Sequence, residues 1–182
     1  MDDRESVQLH MIRQATQYYA SGRFATINGM IPVCGNLLHH AVEMFLKGAL
    51  AHRIDLKELR KLDHNLNRIW RRTKSEFPKV DLSPFDVAIQ NLNRFELIRY
   101  PDELIKEGAI MHLDIHRNEL IPSHEDHTRA EPLYNFVLED VDELVKVIFG
   151  YASLNPVFFS GGMNRGALAM INDSNLHQIF PS

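Results

Sequence analysis

Apolar residues recur at helical spacing through most of the chain. In residues 4–20, Val7, Met11, Ala15 and Tyr18 share one face, the period of an amphipathic helix. Pro32 stands where a first-turn proline is tolerated, and a long helix is expected to follow to about residue 52. Its core stripe is Cys34, Leu38, Ala41, Val42, Phe45 and Ala49, flanked by Leu37, Met44, Leu46 and Leu50. A helix apolar nearly all round belongs in the middle of a bundle. Asp63 is placed to cap the next helix, whose inward face is Leu66, Ile69, Trp70, Thr73 and Phe77. Ser83-Pro84-Phe85-Asp86 is a further start signal, with a capping serine, proline at the first helical position and an acid at the third. That helix should bury Phe85, Ala88, Leu92 and Phe95 and end before Pro101. A last helix opens at Asp140, with Glu143 completing a capping box. It buries Val141, Leu144, Ile148 and Tyr151 and stops at Asn155-Pro156.

Between residues 101 and 139 the period changes. Met111, Leu113 and Ile115 alternate with His112, Asp114 and His116, the pattern of a half-buried strand. A second extended piece near residues 133–137 is expected to pair with it as a β-hairpin, the segment between them forming an exposed loop. After Pro156, Gly161, Gly162 and Gly166 surround the apolar clusters Val157-Phe158-Phe159 and Leu168-Ala169-Met170-Ile171, which should dock on the body or on a partner chain. The fold class read from these patterns is all-α: an up-and-down bundle of four to five helices with a small β-hairpin insertion near 108–137. It forms one domain over residues 1–156, with the insertion at 102–139 and a C-terminal tail at 157–182.

Composition narrows the picture. With 182 residues, 45% of them hydrophobic, the chain can build one full core and hardly two. A net charge of −4 argues against a broad electrostatic nucleic-acid binder, though Arg68, Arg71, Arg72 and Lys74 form a local basic patch. The single cysteine, Cys34, excludes an intramolecular disulfide framework and suits a reducing compartment; it falls on the apolar face of the central helix, where packing is its expected role. The opening residues do not read as a signal peptide, and no apolar run reaches the length of a membrane span. A cytoplasmic protein is expected.

Three stretches together carry a family resemblance. They are His39-His40-Ala41-Val42-Glu43-Met44-Phe45-Leu46-Lys47-Gly48, then Leu62-Asp63-His64-Asn65-Leu66, then Asn93-Arg94-Phe95-Glu96-Leu97-Ile98-Arg99-Tyr100-Pro101. In this order they resemble the HEPN-like families of nucleotide-binding helical bundles, over roughly residues 5–152. The resemblance implies a homodimer, and a nucleotide- or RNA-binding module acting with a partner protein such as a nucleotidyltransferase. It also implies two other classes, a toxin-like metal-independent endoribonuclease and a non-catalytic protein-interaction module. No cofactor is expected.

The candidate chemistry lies in three places. His40, Glu43 and Lys47 are spaced i, i+3 and i+7 and share the face opposite the core stripe. Glu43 and Lys47 can form a surface ion pair, or the group can face a neighbouring helix, with Arg94 or Arg99 as partners. His40, Glu43, Lys47 and Arg99 are the candidate ligand-binding residues. The ribonuclease signature implied by the resemblance is an arginine, a polar residue and a histidine after four to six intervening positions, which Arg117, Asn118 and His124 satisfy with the longest gap. There His124 would be the general acid or base, Arg117 would stabilise phosphate charge and Asn118 would orient the site. Pro122 interrupts that stretch, and the same spacing arises at Arg4 and His10, so an exposed loop explains it too. His112, Asp114 and His116, with His124 and His127 close behind, are of metal-ligand type; lacking cysteine and closed ligand spacing, they read as a solvated strand face, and no metal is assigned.

Overall fold

Two long helices set the frame in a computed structural model of the protein, which describes residues 3–97, 102, 111–117 and 134–180. Helix α1 spans Asp3–Ile27 and α2 spans Val33–Leu50. Ile12 lies against Gly48 and Gly22 against Leu38, so the pair is antiparallel. A Cβ on Gly48 would sit 2.6 Å from the Ile12 Cδ1, so the absence of a side chain is what lets the two backbones approach so closely. Helix α2 packs on α1, on α4 (Leu66–Glu76), on α5 (Asp86–Arg94) and on α6 (Leu138–Tyr151). Its expected stripe of Cys34, Leu38, Ala41, Val42, Phe45 and Ala49 is buried throughout, as befits a central helix. Short helix α3 (Leu56–Lys61) precedes α4, and a single 3₁₀ turn, Ser83–Phe85, leads into α5.

The described residues are mostly helical with one two-stranded sheet, and the all-α class stands at that level. The expected hairpin does not. Strands β1 (Met111–Asp114) and β2 (Tyr134–Val137) run parallel, Met111 opposite Tyr134 and Asp114 opposite Val137. Alternation reveals a strand but carries no information about pairing direction. A parallel pair needs a crossover of a dozen or more residues, and 115–133 is long enough to supply one.

Other local expectations shift for identifiable reasons. The buried face of α1 is Ile12, Ala15, Thr16 and Tyr19, rotated from the expected stripe, and Tyr18 stands exposed. Asp63 is not the cap of α4. It adopts φ 54°, in the left-handed region, and Asn65 caps instead by accepting from the Arg68 amide. Helix α6 starts at Leu138 directly from β2, without a capping box; Asp140 and Glu143 instead bind Arg117. Asn155 caps a further helix, α7 (Pro156–Ser160), by accepting from the Val157 amide. Helix α8 (Arg165–Asn172) follows.

The last residues pack on α1 and α6 through both apolar and polar contacts. Phe180 is buried against Tyr19 and Phe149, with ring centroids 6.3 and 5.5 Å away. Arg23 is fully buried, paired with Asp142 of α6, and donates to the Asp173 carbonyl. Tyr19 donates to the same Asp142 at 2.6 Å and accepts from the Asn175 amide at 3.1 Å. A buried charge demands such partners. No described helix is long and apolar enough to cross a membrane.

Candidate functional site

The polar face of α2 is closed over rather than exposed to water. Helical spacing places His40, Glu43 and Lys47 on one side of α2, and the 62–65 turn and α1 cover them. The Glu43 side chain is fully buried and that of Lys47 nearly so, while His40 is half-buried. The Lys47 ammonium donates to Glu43 Oε1 at 2.7 Å. His64, carried by the turn that the left-handed Asp63 creates, places its Nδ1 3.0 Å from Oε1 and 3.1 Å from Oε2. His40 Nδ1 lies 3.5 Å from Oε2, and its ring sits beside that of Tyr18, 5.6 Å between centroids. The buried carboxylate is thus met by Lys47, His40 and His64, with His39 Nε2 3.9 Å from Oε2. Arg99 lies outside the described residues.

Behind this group His39 is fully buried, its Nδ1 3.0 Å from the Leu92 carbonyl and its Nε2 3.2 Å from the His64 carbonyl. It thereby ties α2 to α5 and to the turn that bears His64. Burial pushes the His39 imidazole below its ordinary value. Burial alone would raise the Glu43 carboxyl, but the donors on His40, Lys47 and His64 and the Lys47 charge override it. The net effect holds Glu43 down at about 2, fully ionised at neutral pH. A buried carboxylate surrounded by imidazoles and an ammonium is an arrangement shared by functional sites and structural ion-pair networks. For phosphate it is poorly suited, because the Lys47 charge is already taken up by Glu43.

A different part of the surface has the opposite electrostatics. Between α4 and α5 lies an open cavity of about 490 Å³, lined by Asn67, Arg71, Lys74, Gln90 and Arg94 together with Trp70 and the carboxylate of Asp86. The Trp70 indole N–H donates to Asp86 at 2.6 Å, and Lys74 pairs with the same carboxylate at 2.8 Å. Lys74 and then Trp70 hold the Asp86 carboxyl below its usual range. The Arg71 guanidinium donates only to the Asn67 carbonyl and forms no ion pair among the described residues. Cationic heads and side-chain amides thus line the same cavity. Arg71 and Lys74 belong to the basic patch read from sequence; Gln90 and Asn67 do not, since nothing in helical periodicity announces which polar residues of two helices will meet.

The other candidates are placed as follows. Arg117 is engaged with α6: its Nε donates to Asp140 at 2.6 Å, its Nη2 to Glu143, and Glu139 lies 3.5 Å from its Nη1. Burial works against its charge, but Glu143 and Asp140 more than compensate and hold it above its ordinary value. Three carboxylates around one guanidinium leave a field that repels phosphate. Asn118 and His124 lie outside the described residues. His112 pairs with Asp114 at 3.3 Å and His116 lies 3.8 Å from Glu139; Asp114 is buried, while His112 and His116 reach solvent in part. Cys34 is buried and free, and burial raises its thiol. His64 was the residue missed as chemistry. Its sequence signal was a histidine immediately before a capped helix, in the second stretch of the family resemblance. Comparison with family models, with curated proteins and with solved structures finds no match for the chain.

Proposed function

We propose that the protein is a HEPN-like module that binds a nucleotide or RNA through the cavity between α4 and α5, acting as a cytoplasmic homodimer with a partner protein such as a nucleotidyltransferase. The observation that carries the binding reading is the cavity itself. Its volume of about 490 Å³ falls in the range of small-ligand sites. Arg71, which makes no ion pair among the described residues, offers charge-assisted donors to phosphate oxygens, Arg94 and the Asp86-paired Lys74 stand beside it, and the Asn67 and Gln90 amides can donate to and accept from base edges. The net charge of −4 fits local rather than diffuse recognition. The family and the partner rest on the three resembling stretches around His40, His64 and Arg94.

The test is fluorescence anisotropy with a labelled single-stranded oligoribonucleotide, competed with unlabelled nucleoside triphosphate, across a salt series. Arg71→Glu should weaken binding at least about tenfold and lower the salt slope by about one, without moving the unfolding midpoint. Equal binding by wild type and Arg71→Glu, or no binding by either, defeats the proposal.

A further inference from the structure

We propose that His40, Glu43 and His64 form a binding site for one divalent transition-metal ion of the zinc class, with Lys47 holding the carboxylate from behind. The three residues each present one donor atom, and these atoms lie within 4.8 Å of one another. Among the described residues no other group of three such donors converges in this way.

The spacing of the donor atoms is compatible with a metal. Zinc bonds of about 2.0–2.1 Å in a tetrahedron put neighbouring donors about 3.3 Å apart. His40 Nδ1 to Glu43 Oε2 is 3.5 Å and His64 Nδ1 to the same oxygen is 3.1 Å, so two of the three edges are already near that length. The third edge closes by a movement of the His64 side chain, which is 56% exposed. His40 Nδ1 approaches Oε2, His64 Nδ1 straddles both oxygens at 3.0 and 3.1 Å, and Lys47 holds Oε1 at 2.7 Å. The Lys47 bond fixes the carboxylate rotation and leaves Oε2 facing both imidazoles. Hydrogen bonding of a ligating carboxylate by a neighbour is how such ligands are oriented.

The surrounding residues brace the group. The Tyr18 ring packs beside His40, and His39 faces the His64 carbonyl at 3.2 Å from α2, fixing the turn that delivers His64. Two imidazoles and one carboxylate select zinc, iron(II), cobalt(II) or nickel(II) over calcium and magnesium, which prefer all-oxygen shells. Three protein ligands leave a fourth position for water or for a ligand from solvent, the arrangement of an open rather than a purely structural site. A cavity of about 330 Å³ lined by Lys47 and His64 adjoins the group. This inference stands apart from the α4–α5 cavity and survives if nucleotide binding there fails.

The experiment is isothermal titration of untagged, chelator-treated full-length protein with zinc chloride, repeated with cobalt(II) followed by visible absorption. One zinc per chain should bind with micromolar affinity or better, and the cobalt form should show the d–d bands of a low-coordinate nitrogen–oxygen site. His64→Ala and His40→Ala, both at side chains that reach solvent, should each weaken zinc at least about a hundredfold while the far-ultraviolet dichroism is unchanged. His112→Ala serves as control and should bind as wild type does. Absence of stoichiometric binding, or binding that neither His64→Ala nor His40→Ala diminishes, overturns the site.

Discussion

Neutralising Glu43 tests whether its charge holds α2, α1 and the 62–65 turn together. The carboxyl sits at about 2 against an ordinary 4.5, and each unit is worth about 1.4 kcal/mol, so ionisation favours the fold by about 3 kcal/mol. His64 is more than half exposed, and water screens its share, which leaves about 2 kcal/mol. The sign follows from the depressed value. The stabilisation is complete above pH 4.5 and is lost as pH falls from there toward 2. Glu43→Gln removes it and leaves the Lys47 ammonium, only 7% exposed, without its counter-charge. The single variant should therefore lose about 3 kcal/mol at pH 7. The double variant Glu43→Gln/Lys47→Met should return to within about 1 kcal/mol of wild type, because the unpaired buried charge is gone. Urea unfolding in the presence of chelator, followed by the fluorescence of Trp70, the sole tryptophan and a buried one, reads all three proteins. Between pH 5 and pH 3 wild type should lose about 1 to 2 kcal/mol more than Glu43→Gln. A single variant as stable as wild type, or parallel loss by both proteins on acidification, would refute the reasoning.

Two further predictions concern packing. A Cβ on Gly35 would fall 1.9 Å from the Cδ1 of Phe95, a fully buried ring wedged against Tyr134 and Phe136 at 5.5 Å each; Gly35→Ala should cost about 2–3 kcal/mol, and an unmoved urea midpoint would show that the ring can yield. Asp142→Asn strips the buried Arg23 of its counter-charge and disturbs Tyr19; it should cost about 3–5 kcal/mol and expose residues 173–180 to limited proteolysis, whereas a wild-type digestion pattern would separate that segment from the pair.

Hydrophobic periodicity alone determined the four main helices after α1 and most of the core. The inward faces of α2, α4 and α5 are those the spacing predicts, because a side chain's direction on a helix depends only on its position in the turn. The same rule placed His40, Glu43 and Lys47 together, since residues i, i+3 and i+7 meet whatever surrounds them. What covers that face could not be read so. His64 arrives from a turn built by a left-handed Asp63, and its approach to Glu43 depends on how α3 and α4 pack, which no local pattern encodes. Pairing direction in the sheet is likewise not encoded by alternation, and the expected hairpin gave way to parallel strands. Arg117 shows the limit most plainly. Its residue type suits phosphate chemistry, but Glu139, Asp140 and Glu143, more than twenty positions away along the chain, reach it only in the folded protein and neutralise it there. Residue identity and period fixed what each segment could be, while the charge environment of each candidate depended on long-range neighbours that only tertiary packing supplies.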